Sequence, residues 1–190
     1  MPDAIFTERL IITQADVSLA EERLLYYTEN RKYFEEYDPH VCDANLTLEK
    51  QTAILTHEET MMLSNHGLFY YFFLREDTDH IAGTLSFSNI RPIPHSCASF
   101  GYDLSHELWG QGYAFEACER MLRELTNTTT IHRIESRIRV GNDRSAALAE
   151  KLGFKKEGLL REYAMIQGTY RDHMLYSFIQ DKSSRLNPTR

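Results

Sequence analysis

Two glycines one residue apart, Gly110 and Gly112, stand in the stretch "DLSHELWGQGYAFEACERMLREL", Asp103 to Leu125, where an extended segment gives way to a helical one. The first turn of a helix presents N–H groups without acceptors and a partial positive charge. Glycines there let an anion approach the backbone with no side chain in the way. Gly110 and Gly112, with the amides of Gln111, Tyr113 and Ala114, are thus a candidate phosphate cradle. An ordinary tight turn is the competing reading.

The kind of phosphate ligand narrows by elimination. A dinucleotide fingerprint, G-x-G-x-x-G, needs a third glycine where this chain has Phe115, and it usually follows the first strand of a βαβ unit. A nucleoside-triphosphate loop needs a GK[ST] ending, which the chain lacks. A diphosphate bound without a catalytic metal remains, and coenzyme A carries one. The eight histidines have no metal-ligand spacing, "THEET" lacks the second histidine of a zinc-protease helix, and there is no CxxC pair. No metal is expected.

The elements that must position this loop can be read from periodicity. "TERLIIT", Thr7 to Thr13, reads as a first strand. From Asp16, a plausible N-cap, Val17, Ala20, Leu24 and Tyr27 recur at helical steps. A second helix is expected from Leu48 to Asn65, with Leu48, Leu55 and Met62 on one stripe and Gly67 beyond its end. "LFYYFFLRED" suits a strand buried on both faces. Hairpin turns then lead into "HIAGTLSFSNI", with Ile81, Gly83, Leu85 and Phe87 on one face, and into "CASFGYDLS". The helix after the glycine pair carries Phe115, Cys118, Leu122 and Leu125 on one stripe. "HRIESRIRV" alternates Ile134, Ser136, Ile138 and Val140 with Arg133, Glu135, Arg137 and Arg139. A short helix follows in "NDRSAALAEKLGF", then two strands around Gln167 and Gly168. The class is α+β with a mixed sheet.

Bulk properties fit that class. A chain of 190 residues with 42% apolar and 26% charged content is expected to fold as one soluble domain. A net charge of −7 argues against nucleic acid as principal partner and is compatible with a cationic substrate such as an amine, or with solubility alone. No apolar run approaches the roughly 18 to 20 residues of a membrane span, and "MPDAIFTERL" does not read as a signal peptide. Cys42, Cys97 and Cys118, an odd number without paired spacing, read as reduced thiols of a cytoplasmic protein.

"GYDLSHELWGQGYAFEA" followed by "RIESRIRVGNDRSAALAEKLGFKKEGLLRE" resembles the GNAT acyl-CoA-dependent acetyltransferases, in the branch of the ribosomal-protein alanine N-acetyltransferases. "TERLIIT", "ENRKYFEEYDP" and "GTYRDHMLYSF" extend the resemblance over nearly the whole chain. It implies a GNAT-like fold of about seven mostly antiparallel strands and about four helices in one acetyltransferase domain; from its residues the terminal "DKSSRLNPTR" reads as a flexible tail at 182–190, leaving an ordered core near 5–181. It implies splayed strands at Ala98–Leu104 and Arg133–Val140 with the pantetheine arm of acetyl-CoA between them, beside Tyr102 and Leu104. The family's Q/R-x-x-G-x-G/A pattern falls on Trp109, Gly110, Gln111, Gly112, Tyr113 and Ala114, with Trp109 at the usual Gln or Arg. The N-x-x-S pattern falls on Asn142 and Ser145, beside the pantetheine and the thioester sulfur.

The implied reaction is attack of a neutral amine on the acetyl thioester. An α-amino group, with a reference pKa near 7.7–8.0 against about 10.4 for lysine, needs only a modest base. The usual acidic base of relatives falls on Ser99 and the usual acidic tyrosine on Ala149. Ser145 remains as hydrogen-bond donor to the sulfur, or as a helix cap. Glu107, Asp103, Glu116 and Asp172 are candidate bases. Asn142 can cap its helix and hold the cofactor loop at once. Tyr26, Tyr27, Tyr33, Phe34 and Tyr37 read as core before peptide groove. Arg137 and Arg139 meet phosphates or form a solvated face. The acceptor is expected to be an amine, foremost a protein N-terminus; a small-molecule amine, or a non-catalytic acyl-CoA sensor, are the alternatives. A monomer and a homodimer both remain open.

Overall fold

The strand read at Thr7–Thr13 is present as Leu10–Gln14, and a short strand that the sequence reading did not place precedes it. In the computed structural model, which describes residues 4–180, Thr7 N–H donates to Leu10 O at 3.0 Å and folds β1 (Ala4–Phe6) onto β2 (Leu10–Gln14). The sheet therefore has eight strands instead of about seven. The expected tail at 182–190 lies outside the described residues.

After β2 come α1 (Ala20–Phe34) and α2 (Leu48–Leu63), then β3 (Leu68–Leu74), β4 (Asp77–Arg91) and β5 (Cys97–Leu104). α3 (Tyr113–Thr128), β6 (Arg133–Arg139), α4 (Asp143–Lys151), β7 (Lys155–Ile166) and β8 (Thr169–Ile179) complete the chain. The sheet order is β1-β2-β3-β4-β5-β6-β8-β7, antiparallel throughout except for β5 beside β6. This is the mixed, mostly antiparallel sheet with four α-helices that the resemblance implies.

Each face of the sheet carries its own core, as strand alternation requires. Tyr70, Phe72, Leu85, Phe87, Phe100 and Leu104 pack with the buried stripe of α3, which comprises Ala117, Cys118, Met121, Leu122 and Leu125. Burying each larger side chain of that stripe contributes about 1.5–3 kcal/mol. Tyr71, Phe73 and Ile81 face the other way, against Tyr26, Tyr27 and Phe34 of α1 and Leu55 of α2. β3 is thus buried on both sides, as its aromatic density predicts.

Three expected stripes shift. A β-bulge opposite Phe72 and Phe73 turns Ile81 to the α1 face, away from Leu85 and Phe87. In α1 the buried positions are Ala20, Arg23, Tyr26, Tyr27, Asn30 and Phe34, while Val17 sits exposed in a 3-10 turn capped by Asp16. In α2 they are Gln51, Leu55 and Glu58, and Leu48 is exposed. The reason is a buried polar network between these helices. Arg23 Nε donates to Tyr71 Oη at 2.6 Å, Arg23 bonds Gln51, and Tyr71 Oη donates to Glu58 Oε2 at 2.9 Å. Buried polar groups persist when paired, and hydrophobic spacing alone does not register them.

Candidate active site

The site begins where β5 and β6 part. They pair in parallel at only three positions, ending with Ser99 opposite Glu135, although β5 runs on to Leu104 and β6 to Arg139. The alternation of backbone bonds tells which groups line the fork. Ser105 N–H donates to Ala82 O at 2.9 Å, so the odd-numbered residues of β5 bond β4. Ser96 O accepts from His132 N–H at 2.8 Å, so the even-numbered ones face β6. Past Ser99 this directs the main-chain groups of Tyr102 and Leu104 into the fork. Leu104 O is taken by the Trp109 indole N–H at 2.9 Å. Both backbone groups of Tyr102 and the N–H of Leu104 remain for an extended guest bearing amides.

The candidate phosphate loop lies at the start of α3. Gly110 and Gly112 have φ of +76° and +86°, in the left-handed region that favours glycine, and Gly112 occupies the N-cap position. A Cβ at Gly110 would meet nothing within 4 Å. The first helical bond runs from Glu116 N to Gly112 O at 3.1 Å, which leaves the N–H groups of Tyr113, Ala114 and Phe115 free of intrahelical acceptors. Among the described residues no side chain caps this end. The loop has open space, donors and a helix dipole for an anion, and so fits a pyrophosphate.

Trp109, where the family pattern has Gln or Arg, works through packing. The Arg144 guanidinium lies 3.4 Å from its ring centroid, and Tyr33 and His106 meet it edge-on. The indole thereby joins the end of α1, the β5–α3 connection and the start of α4. Arg144 stands within "NDRS" beside Ser145, and nothing in that spacing announced its partner.

α4 closes the other side of the fork. Asn142 Oδ1 accepts from Ser145 N at 3.2 Å, the capping bond its spacing predicts. The Ser145 hydroxyl lies 3.1 Å from Tyr102 Oη across the fork. Burial pushes the Tyr102 phenol well above its ordinary value, so it stays protonated and can donate.

The four candidate bases separate by position. Glu107 is exposed on the turn before Trp109, and its carbonyl accepts from Gln111 Nε2 at 2.8 Å; the fold does not bring it to the cleft. Glu116 is held by Thr7 Oγ1, Arg9 N and Arg9 Nε at 2.6, 2.9 and 2.7 Å. Burial acts to raise its pKa, yet these bonds hold it below the ordinary value. Asp172 Oδ1 accepts from Glu162 N at 2.8 Å within the last hairpin. Asp103 alone among them lines the cleft.

The cleft, of about 1200 Å³, runs from Gly110 and Gly112 past Tyr102 and Ser145 to Tyr27, Tyr37 and Tyr71. Tyr26, Tyr27 and Phe34 are core, while Tyr27, Tyr33, Phe34 and Tyr37 also form cleft wall, so both readings of that cluster hold in part. Arg137 and Arg139 line the same half and are already paired. Arg137 donates to Ser99 Oγ at 2.9 Å and to Glu135 Oε2 at 2.7 Å; Arg139 holds Glu36 at 2.9 Å.

Comparison with known proteins agrees with this geometry. The acetyltransferase (GNAT) domain model matches residues 9–155. The [ribosomal protein uS5]-alanine N-acetyltransferase of Escherichia coli (strain K12) is 32% identical over 170 residues, covering 89% of this chain and 87% of that protein. The ribosomal-protein-serine acetyltransferase of the same organism is 29% identical over 126 residues, 66% of this chain and 69% of that one. The crystal structure of the ribosomal-protein-S5-alanine acetyltransferase from Vibrio fischeri superposes with a TM-score of 0.88 at 27% identity, over 94% of this chain and 97% of that chain. With its open fork and glycine-bounded helix start, this chain belongs to the GNAT acetyltransferase family and is an acetyl-CoA-dependent N-acetyltransferase.

Proposed function

We propose that the chain transfers the acetyl group of acetyl-CoA to the α-amino group of a protein N-terminus by direct attack on the thioester. The observation that carries this is the continuity of the cleft: phosphate loop, fork and aromatic acceptor wall share one space. Bound with its pyrophosphate at the helix start and its amides along Tyr102 and Leu104, acetyl-CoA supplies the activated acyl group. The chain's own residues then do three things. The fork-facing backbone fixes the acyl carbon in line with an amine arriving from the Tyr27 side, which is catalysis by positioning. Backbone N–H groups at the fork polarise the acyl oxygen. Ser145, linked to Tyr102, donates to the departing sulfur.

An α-amine is the acceptor that suits these means, because near neutral pH a much larger share of it is unprotonated than of a lysine. The alanine N-acetyltransferase and the serine acetyltransferase with which the chain shares sequence are both named for ribosomal proteins, which supports a protein acceptor. A net charge of −7 favours approach by a basic protein segment. We place the enzyme in the cytoplasm as one acetyltransferase domain, needing no metal and no nucleic acid.

The test is thiol release from acetyl-CoA with peptides starting in alanine or serine, an Nα-blocked lysine peptide and spermidine, followed by fragmentation of the product in a mass spectrometer. Acetyl at the α-nitrogen of the unblocked peptides supports the proposal. Turnover of spermidine or lysine alone refutes the α-amino acceptor, and saturable binding with no thiol release for any amine refutes catalysis.

A further inference from the structure

Two carboxylates of the acceptor half of the cleft, Asp38 and Asp103, enter no ion pair among the described residues, and of the two only Asp103 stands on the strand that opens into the fork. Ser99, Gly101 and Asp103 share one face of β5, the face turned toward α1 and α2, because alternate residues of a strand point the same way. Ser99 is engaged by Arg137 Nη1 at 2.9 Å. Gly101 leaves space, since a Cβ there would meet only Ser86 Oγ, at 3.7 Å. Asp103 comes next along the strand, one residue past Tyr102 and so beside the point where the backbone opens into the fork. Its Oδ2 accepts from Tyr27 Oη at 3.2 Å and Thr84 Oγ1 at 3.4 Å. Both donors are neutral hydroxyls at long bonding distance, and among the described residues Asp103 has no ion pair at salt-bridge distance.

From this placement we infer that Asp103 is the group that takes the proton from the acceptor amine, the alcove over Gly101 being the seat of the incoming nitrogen. The inference rests on the acceptor reading above and assigns its base. The ammonium of the acceptor gives one proton to the Asp103 carboxylate. The freed lone pair forms the C–N bond to the acyl carbon, the C–S bond breaks, and the second proton leaves with the sulfur, so that amide and thiol are released. Asp103 then returns its proton to solvent. Tyr27 and Thr84 hold the carboxylate in place.

The electrostatics agree with that role. Burial and then the charge of Asp38, another cleft residue, push Asp103 up to about 7. Arg23, Tyr26 and Tyr27 of α1 and Tyr102 on its own strand also face it, and Arg23 and the bonds from Tyr27 and Thr84 pull the other way. A carboxyl near 7 exchanges a proton almost evenly with an α-ammonium at 7.7–8.0, the match general base catalysis favours, and poorly with a lysine near 10.4.

The experiment is the pH dependence of kcat/KM for wild type, Asp103→Asn and Asp103→Glu, using whichever amine of the panel above reacts, with acetyl-CoA affinity followed by fluorescence of Trp109, the single tryptophan. Expected is a drop of about 100-fold or more for Asp103→Asn at pH 7. The acidic limb near pH 7 should disappear, Asp103→Glu should restore part of the rate, and acetyl-CoA affinity should stay within about threefold. Asparagine at wild-type rate with the same acidic limb overturns the assignment of Asp103 while leaving the acceptor reading intact. Reaction only with small amines overturns the acceptor reading, and Asp103 is then judged on the amine that reacts. Reaction with no amine overturns both.

Discussion

Arg9 and Glu116 stand 107 positions apart in sequence and meet at 2.7 Å, Nε to Oε2. Arg9 Nη1 also donates to Gln111 O at 3.0 Å, and its guanidinium lies 4.0 Å from the Tyr113 ring centroid. One side chain therefore ties the first hairpin to the loop that enters α3, and it neutralises the acid that would otherwise repel an anion at that helix start.

Removing this tie should loosen the loop and not the acceptor wall. Arg9→Ala is expected to weaken acetyl-CoA binding about 10-fold, corresponding to about 1.4 kcal/mol, with KM for the amine unchanged. Arg9→Lys should recover only part of it, because a lysine cannot bridge Glu116 and Gln111 in the same fork geometry. Titration of Trp109 fluorescence with acetyl-CoA separates the two variants.

Gly112→Asp puts a side chain at φ +86° and a negative charge at the anion cradle. The left-handed conformation alone costs about 1–2 kcal/mol, which a domain of this size survives. Circular dichroism should therefore report a folded chain, while calorimetric titration with acetyl-CoA shows binding reduced by at least about 100-fold. Unchanged affinity would remove the cradle from the site.

Ser145 and Tyr102 share one hydrogen bond at 3.1 Å, so they should act as a unit. Ser145→Ala is expected to lower kcat about 10- to 100-fold with little change in acetyl-CoA affinity, since the lost bond matters most as the sulfur departs. Adding Tyr102→Phe should cost less than it does alone, a non-additivity that a double-mutant cycle measures.

Asp103 also links pH to stability. Its folded pKa of about 7 exceeds the ordinary 3.8, so the folded state loses stability as pH rises through that interval. Asp103→Asn removes the loss. The variant should be more stable than wild type at pH 8, by at most about 4 kcal/mol, and close to it at pH 4, as denaturant unfolding at the two pH values measures. A variant more stable and less active is the expected signature of a group held in place for chemistry.

The elements and the glycine-bounded start of α3 were legible because their signals are local. Helical spacing after Gly112, alternation along "RIESRIRV" and the asparagine three residues before Ser145 each involve neighbours within a turn or a strand. Periodicity misplaced the buried stripes of α1 and α2, since Arg23, Gln51 and Glu58 are buried through pairing with one another and with Tyr71. It also left the short strand Ala4–Phe6 unplaced, where the turn into the next strand is made by Thr7 and Leu10 without a glycine or proline.

What the sequence determined by itself was the α+β class, the position of the glycine pair at a helix start and the resemblance to one acetyltransferase family, each carried by short motifs whose residues are neighbours in the chain. Only the tertiary structure decided that Glu107 faces solvent, that Glu116 belongs to Arg9, and that Asp103 turns into the cleft. Acidic side chains look alike along a chain. What sets their roles is the partner and the degree of enclosure that distant segments bring, and those exist only after folding.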